Sequence, residues 1–290
     1  MRPTHLALLA PAALLAAAAP ARGQDVTNPP ATPPIETPDA GGDRITIAAG
    51  VATVPEYEGA DSNDFIPAAT VVGRVSGHDF FLRGTQLYVD LIPSAGGVGV
   101  AFEAGPIAGV RLDRANDIDN DQVAALGEID TAYEVGGFVG VSRTGVITSD
   151  FDVVSARVAF IHDLSDAHGS YVVTPQVNYT TPLSTRTLVS LGASADYVGR
   201  GYGRTYFSVT PAQSLASGLR AYDAADSGWK RLNVQFFALQ SLSGDLRRGW
   251  GIGGGVLYGR LLGRYKDSPI VRDVGDADQW GAAAGLTYTF

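Results

Sequence analysis

Nucleophilic hydrolysis would have to begin from His78, His162 or His168, because a serine needs an imidazole to take its proton and a third group to orient that imidazole. His78 stands in Ser76-Gly77-His78-Asp79, and His162 and His168 flank Asp163–Ala167, polar stretches of the kind that form turns. No serine has an activating context, so each histidine reads as a solvated turn residue. A metal reading is better spaced: Asp117, Asp119, Asp121 and Glu128 fall at positions 1, 3, 5 and 12 of a calcium-loop pattern and offer hard oxygen ligands. Gln122 stands where the sharp turn requires glycine and the flanks read as strands, so an acidic exposed loop is the simpler expectation. Glu128, Asp130 and Glu134 share one strand face. Catalysis by such a set needs one carboxyl protonated beside an ionised one. Salt bridges with inward arginines such as Arg83 or Arg157 ask for nothing further and would fill a narrow lumen or bias it toward cations. Gly249-Trp250-Gly251-Ile252-Gly253-Gly254 has the letters of a dinucleotide fingerprint, but a strand follows it instead of a helix. Gly199-Arg200-Gly201-Tyr202-Gly203-Arg204 reads as a tight hairpin. No catalytic, cofactor-binding or metal residue is assigned, and the chain is read as a non-enzyme without a cofactor.

The elements around these residues have period two. Tyr171, Val173, Pro175, Val177 and Tyr179 oppose Val172, Thr174, Gln176, Asn178 and Thr180, and Val189, Leu191, Ala193, Ala195 and Tyr197 oppose Ser190, Gly192, Ser194, Asp196 and Val198. Leu232, Val234, Phe236 and Ala238 oppose Asn233, Gln235, Phe237 and Leu239, a set that loses its polar side after Gln235. At the C-terminus Trp280, Ala282, Ala284, Leu286, Tyr288 and Phe290 share a face. The polar positions are Gly, Ser, Thr, Asn and Gln, with few of the Lys and Arg that a solvated sheet face would carry. About twelve strands of roughly 10 to 15 residues follow, an even number suited to a closed antiparallel transmembrane β-barrel, all-β in class. They are expected near 43–54, 63–75, 79–92, 97–112, 128–143, 146–163, 168–181, 186–199, 203–211, 228–241, 249–264 and 280–290, with loops at 115–122, 220–227 and 266–278. Tyr57, Phe65, Tyr88, Tyr179, Tyr197, Trp250, Tyr258 and Trp280 lie near predicted strand ends, where an interfacial aromatic girdle belongs.

Residues 1–23 read as a signal peptide: Arg2, an apolar run from Leu6 to Ala19 broken by Pro11, and small residues around Ala21 for cleavage. Residues 24–42, with Pro29, Pro30, Pro33, Pro34 and Pro38, read as a Pro-rich flexible tail, and 43–290 as one outer-membrane barrel domain. The chain has 21 basic and 30 acidic residues, and Arg2 and Arg22 fall in the leader, so the remainder is more acidic than the formal −9 of the whole. That balance argues against binding a phosphate backbone and leaves nucleic acid out. With no cysteine, stability has to come from pairing and burial.

Several segments resemble the MipA/OmpV family of outer-membrane proteins. Val54-Pro55-Glu56-Tyr57-Glu58-Gly59-Ala60-Asp61 is similar to its Pro-x-Tyr-x-Gly-Ser turn, with Ala60 in place of Ser. Leu126-Gly127-Glu128-Ile129-Asp130, with Glu134 and Gly136 behind it, comes next. Thr205-Tyr206-Phe207-Ser208-Val209-Thr210 and Ser217-Gly218-Leu219-Arg220-Ala221-Tyr222 resemble its Tyr-Phe-Gly-Val and Ser-Gly-Leu-x-x-Tyr segments, with Ser208 where Gly is common. Leu261-Leu262-Gly263, Asp267-Ser268-Pro269-Ile270-Val271 and Leu286-Thr287-Tyr288-Thr289-Phe290 complete the family's order. The resemblance implies a twelve-stranded barrel in the bacterial outer membrane and its lipid bilayer. For the family's named member it implies a scaffold linking a lytic transglycosylase to a penicillin-binding-type peptidoglycan synthase in the cell envelope. Other members are described as porin-like channels or surface adhesins.

Overall fold

An open sheet edge in lipid would leave backbone donors and acceptors unpaired, at several kcal/mol each, and this chain removes both edges by closing on itself. The computed structural model describes residues 42–94, 96–115 and 118–290. The predicted signal peptide, and all of the Pro-rich tail except Gly42, lie outside these residues. Twelve strands form the wall: β1 (Arg44–Pro55), β2 (Asn63–Val75), β3 (His78–Arg83), β4 (Gln86–Val89), β5 (Gly99–Arg111), β6 (Ala132–Thr144), β7 (Val153–Asp163), β8 (Tyr171–Pro182), β9 (Thr187–Val198), β10 (Gly228–Ser241), β11 (Gly249–Leu261) and β12 (Asp278–Thr289). Each pairs antiparallel with its neighbour in sequence, and β12 returns to β1. At that closing seam the hydroxyls of Thr46 and Thr289 meet at 2.9 Å, and the Phe290 N–H donates to the Ile45 carbonyl at 2.9 Å. Among the described residues five short helices lie between strands: α1 (Asp121–Ala124), α2 (Arg200–Phe207), α3 (Pro211–Ser217), α4 (Gly263–Lys266) and α5 (Pro269–Arg272). Among the described residues no helix is long and apolar enough to cross a membrane.

The strand count agrees with the sequence through two compensating differences. Segment 79–92, expected as one strand, is the hairpin β3–β4, turning at Gly84-Thr85 with Gly84 at φ 57° and Arg83 opposite Gln86. Segment 203–211, expected as a strand, is mostly α2, and the tight hairpin expected at Gly199–Arg204 is the start of that helix. Its composition is strand-like, and burial inside the barrel outweighs that propensity.

Alternation sorts the side chains as expected. Ile47, Val51, Val139, Val177, Leu191, Leu232, Val234, Leu286 and Phe65 face outward, the last 83% exposed, while Thr46, Ser155, Gln176, Asn178, Thr180, Ser190, Asn233 and Gln235 are buried inside. An outward apolar belt over a polar interior is the arrangement a bilayer selects. Trp250, Tyr288 and Phe290 meet edge to face near the end that bears the termini, and Tyr258 packs against Trp280 and Tyr197 against Trp229 near the opposite end. Tyr57 and Tyr88, expected in this girdle, are buried at 1% and 3% exposure and belong to the interior.

The two ends differ. At the terminus-bearing end the connections are residues 76–77, 90–98, 145–152, 183–186 and 242–248. The opposite end carries 112–131 with α1, 199–227 with α2 and α3, and 262–277 with α4 and α5. Its helices are locally encoded: Thr210 and Gln213 form a reciprocal capping box, Pro211 opens α3, and Gly218 ends it at φ 76°.

Candidate functional site: a plugged lumen

Helix α2 turns into the barrel instead of lying over it. Tyr202 and Tyr206, one helical turn apart, and Phe207 are 0–2% exposed, whereas Arg204 on the other face is exposed. Two glycines permit this seat. A Cβ on Gly201 would lie 2.2 Å from the His168 carbonyl oxygen, and one on Gly203 would lie 2.2 Å from the Ala224 carbonyl oxygen. Above the plug, Tyr57, Tyr265, Ile270 and Val271 close the loop end, each at most 1% exposed. Burial pushes the Tyr265 phenol up to about 12 and the Tyr206 phenol well above its ordinary value, so both remain protonated.

Tyr202 ties three parts of the wall together. Its hydroxyl donates to Glu58 Oε2 at 2.7 Å and accepts from Arg111 Nη1 at 3.0 Å and Lys230 Nζ at 3.1 Å. The Arg111 guanidinium also lies 5.0 Å from the ring centroid and the Lys230 ammonium 4.6 Å. Arg111 in turn donates its Nε to Glu134 at 2.9 Å, and Glu134 receives His168 Nε2 at 3.3 Å. Lys230 lies 2.5 Å from Glu58, and Arg231 bridges Glu58 at 3.4 Å and Asp196 at 3.6 Å. All these groups are at most 6% exposed.

Strict alternation would aim Lys230 at lipid, alongside Leu232 and Val234. A register shift between Trp229 and Arg231 against β9 prevents this, and Lys230 and Arg231 both point inward at 2% and 3% exposure. Re-aiming a side chain is what a β-bulge does.

Toward the terminus-bearing end the filling is aromatic. Phe81 stacks on Tyr88 at 4.7 Å, Tyr88 meets Phe138 at 5.5 Å, and Arg157 lies over both phenylalanines while its Nε donates to Glu103 at 3.0 Å. Beyond this layer opens a vestibule of about 390 Å³, lined among others by Arg44, Arg74, Asp79, Asp90 and Glu103. On the other side of the barrel Gly251, Gly253, Gly255, Ala283, Gly285, Ala48 and Gly50 make a wall of small residues. Phe237 and Leu239 lean on that wall, which is why β10 loses its polar inner side after Gln235.

These positions revise several expectations. His168 is 4% exposed and joined to Glu134, not a solvated turn residue. Glu128 and Asp130 precede β6 and do not share a strand face with Glu134, whose partner is Arg111; Arg157 pairs with Glu103, and Arg83 donates to Gln176 at 2.7 Å. Of the calcium-spaced acids, Asp117 lies outside the described residues, and Asp121 opens α1, a helical turn capped by Asn120. Among the described residues no cluster of three metal-ligating side chains occurs. Glu58 and Tyr202, central to the lumen, were not singled out as interior groups, since a loop glutamate and a tyrosine in a Gly-Tyr-Gly run carry no period-two signal.

A transmembrane β-barrel whose lumen is filled by its own helix and an ion-pair network is the class that this fold and interior define. Residues 47–290 match the family described as MltA-interacting protein MipA, and the chain belongs to that family of outer-membrane barrels. No curated protein matches it. Among solved structures it is similar to an outer membrane channel from Pseudomonas putida F1, at 10% identity over 89% of this chain and 99% of that one, TM-score 0.42. It is also similar to the outer membrane channel DcaP of Acinetobacter baumannii, at 11% identity over 87% and 99%, TM-score 0.37. Likenesses this distant carry no argument about activity.

Proposed function

We propose that this protein is a non-enzymatic adaptor in the outer membrane, a closed barrel that presents its terminus-bearing end to peptidoglycan-remodelling enzymes in the periplasm. The observation that carries the reading is the occupied lumen, in which Tyr202 of α2 is bound at once to β5, β10 and the β1–β2 loop. A barrel braced in this way is suited to holding a surface still more than to passing solutes. Short connections are periplasmic in such barrels and long ones external, which directs the vestibule and the turns 90–98 and 145–152 inward to the cell wall. The family description names an interaction with MltA, read here as a lytic transglycosylase; a penicillin-binding-type synthase is the second expected partner. The exported chain would reach this place through the signal peptide at residues 1–23.

A purified lytic transglycosylase passed over the immobilised barrel tests this. Retention that is lost when turns 90–98 and 145–152 are replaced by Gly-Ser sequence supports the adaptor. Equal retention by an unrelated barrel contradicts it. The alternative is a weakly selective channel, favoured by the small-residue wall of β11, β12 and β1, beside which about 90 Å³ of space remains.

A further inference from the structure

Closure at the β1–β12 seam does not cover all of β2. This strand pairs with β1 from Asn63, opposite Pro55, to Arg74, opposite Arg44, but with β3 only from Val72 to Val75. The β3–β4 hairpin turns back at Gly84-Thr85, and beyond that turn no ladder joins β2 to β5. Residues 63–69 of β2 therefore keep an open edge, roughly 20 Å long at about 3.3 Å per residue. Pro67 gives the direction of its backbone groups. The β1–β2 ladder runs unbroken through Val51 opposite Pro67, so the proline nitrogen, which has no hydrogen to give, faces the gap, and the N–H and C=O groups of Phe65 and Ala69 face it too. Among the described residues these groups have no hydrogen-bond partner. Asn63 gives the depth: its amide donates to the Trp280 carbonyl at 2.8 Å, level with the Tyr258–Trp280 pair, and Phe65 to Ala69 run from there toward the middle of the apolar belt.

The mouth of the gap is continuous with the lipid-facing belt, and Phe65, Pro67 and Ala69 are exposed there. Inward it meets the crevice beside the small-residue wall, since Ala68, Ala69, Thr70 and Gly84, which border the gap, also line the crevice. No charged side chain lines that space. Its inward residues Ala48, Gly50, Ala68 and Gly285 are only half-buried, whereas the inward Ser155, Asn178 and Ser190 across the barrel are buried. Of its threonines, Thr70 spends its hydroxyl on the Leu82 carbonyl at 2.8 Å and Thr46 on Thr289 at 2.9 Å. Water finds few partners in such a crevice, and methylene groups match its walls. A strand from another chain is a poor occupant, because Pro67 interrupts the edge in the way that protects sheets from edge-to-edge pairing. Lipid, by contrast, already covers the belt at the mouth, and the unpaired edge groups need a partner in that medium. We propose that the gap between β2 and the β3–β4 turn admits one alkyl chain of a bilayer lipid, which lies in the crevice along β1, β2 and β12 while a carbonyl or hydroxyl oxygen of the lipid accepts from the N–H of Phe65 or Ala69. This site is independent of the adaptor reading.

The barrel reconstituted in vesicles of dimyristoylphosphatidylcholine, with a small fraction of that lipid carrying a diazirine at the end of one chain, tests the site. After illumination the adducts are located by tandem mass spectrometry. Labelling is expected on the inward Ala48, Ala68 or Phe237 as well as on outward belt residues such as Val51 and Leu286. Ala68→Phe, which fills the crevice, is expected to lose the inward labels and keep the outward ones. Labels confined to outward residues of the wild type overturn the proposal, as does inward labelling that a folded Ala68→Phe barrel leaves unchanged. The wild-type readout stands even if the variant fails to fold.

Discussion

Arg111 and Tyr202 meet inside the loop-bearing end of the barrel, the guanidinium of a wall strand donating at 3.0 Å to the hydroxyl of a helix that the chain has folded back into its own lumen. Through this contact α2 is joined to the wall, and Glu134 and Glu58 are joined to each other by a continuous chain of charged and phenolic groups.

Tyr202→Phe keeps the ring and deletes the hydroxyl on which Glu58, Arg111 and Lys230 converge. Leaving buried polar groups short of a partner costs about 1–3 kcal/mol, more where they are charged. The urea midpoint of the variant should fall, and the folded form on unheated electrophoresis should survive to a lower temperature than that of the wild type. An unchanged midpoint would mean that the hydroxyl is not part of the brace.

Glu134→Gln leaves the Arg111 guanidinium buried beside a neutral amide. Breaking a buried pair from one side destabilises by about 3–5 kcal/mol, whereas replacing both partners by apolar groups is often close to neutral. The double variant Glu134→Gln with Arg111→Met should therefore be more stable in urea than Glu134→Gln alone. Strictly additive losses would show that the two residues are not coupled.

Gly203→Ala sets two effects against each other. Alanine is favoured over glycine in a helix by about 1 kcal/mol, but here its Cβ would sit 2.2 Å from the Ala224 carbonyl oxygen, a distance that backbone must yield to. Overpacking of this kind costs about 1–3 kcal/mol, so net destabilisation is expected, together with a shift in the near-ultraviolet circular dichroism of the plug tyrosines. A stabilised variant would place α2 outside the lumen.

Asp152, in the turn before β7, accepts from the N–H groups of Val146 at 2.6 Å, Ile147 at 2.8 Å and Thr148 at 2.5 Å and from the Tyr179 hydroxyl at 3.0 Å. Burial alone would raise its pKa; these donors outweigh that and hold the carboxyl well below the usual range. With the folded value below an unfolded one of about 3.9, the contribution is full at neutral pH and is lost as pH falls through the folded value. Asp152→Asn should lower the urea midpoint at pH 7, with the gap to wild type narrowing below about pH 3. A gap of constant width down to pH 2 would assign the loss to something other than ionisation.

The wall was legible in the sequence because lipid and lumen are unlike solvents and a strand samples them in strict alternation. The parity of β8, β9 and β12 is as the residues dictate. Where the interior is made by something other than alternation, the pattern gave no signal. Lys230 turns inward by a bulge, His168 reaches Glu134 of β6 from the β7–β8 loop, and α2 is held by long-range burial against a strand-like composition. One missed element did carry a local signature: Thr210-Pro211 with Gln213 and Gly218 spells a capped helix. Gly84-Thr85 between Arg83 and Gln86 likewise marks a two-residue turn, hidden by the apolar residues on either side.

The most direct test of the closed-barrel account is the conductance of the wild-type protein reconstituted in a planar bilayer. With α2 seated between β5 and β10, no steady single-channel current is expected, and steps should appear only when residues 200–207 are excised. A stable ohmic conductance from the intact protein would contradict the account and identify the barrel as a channel.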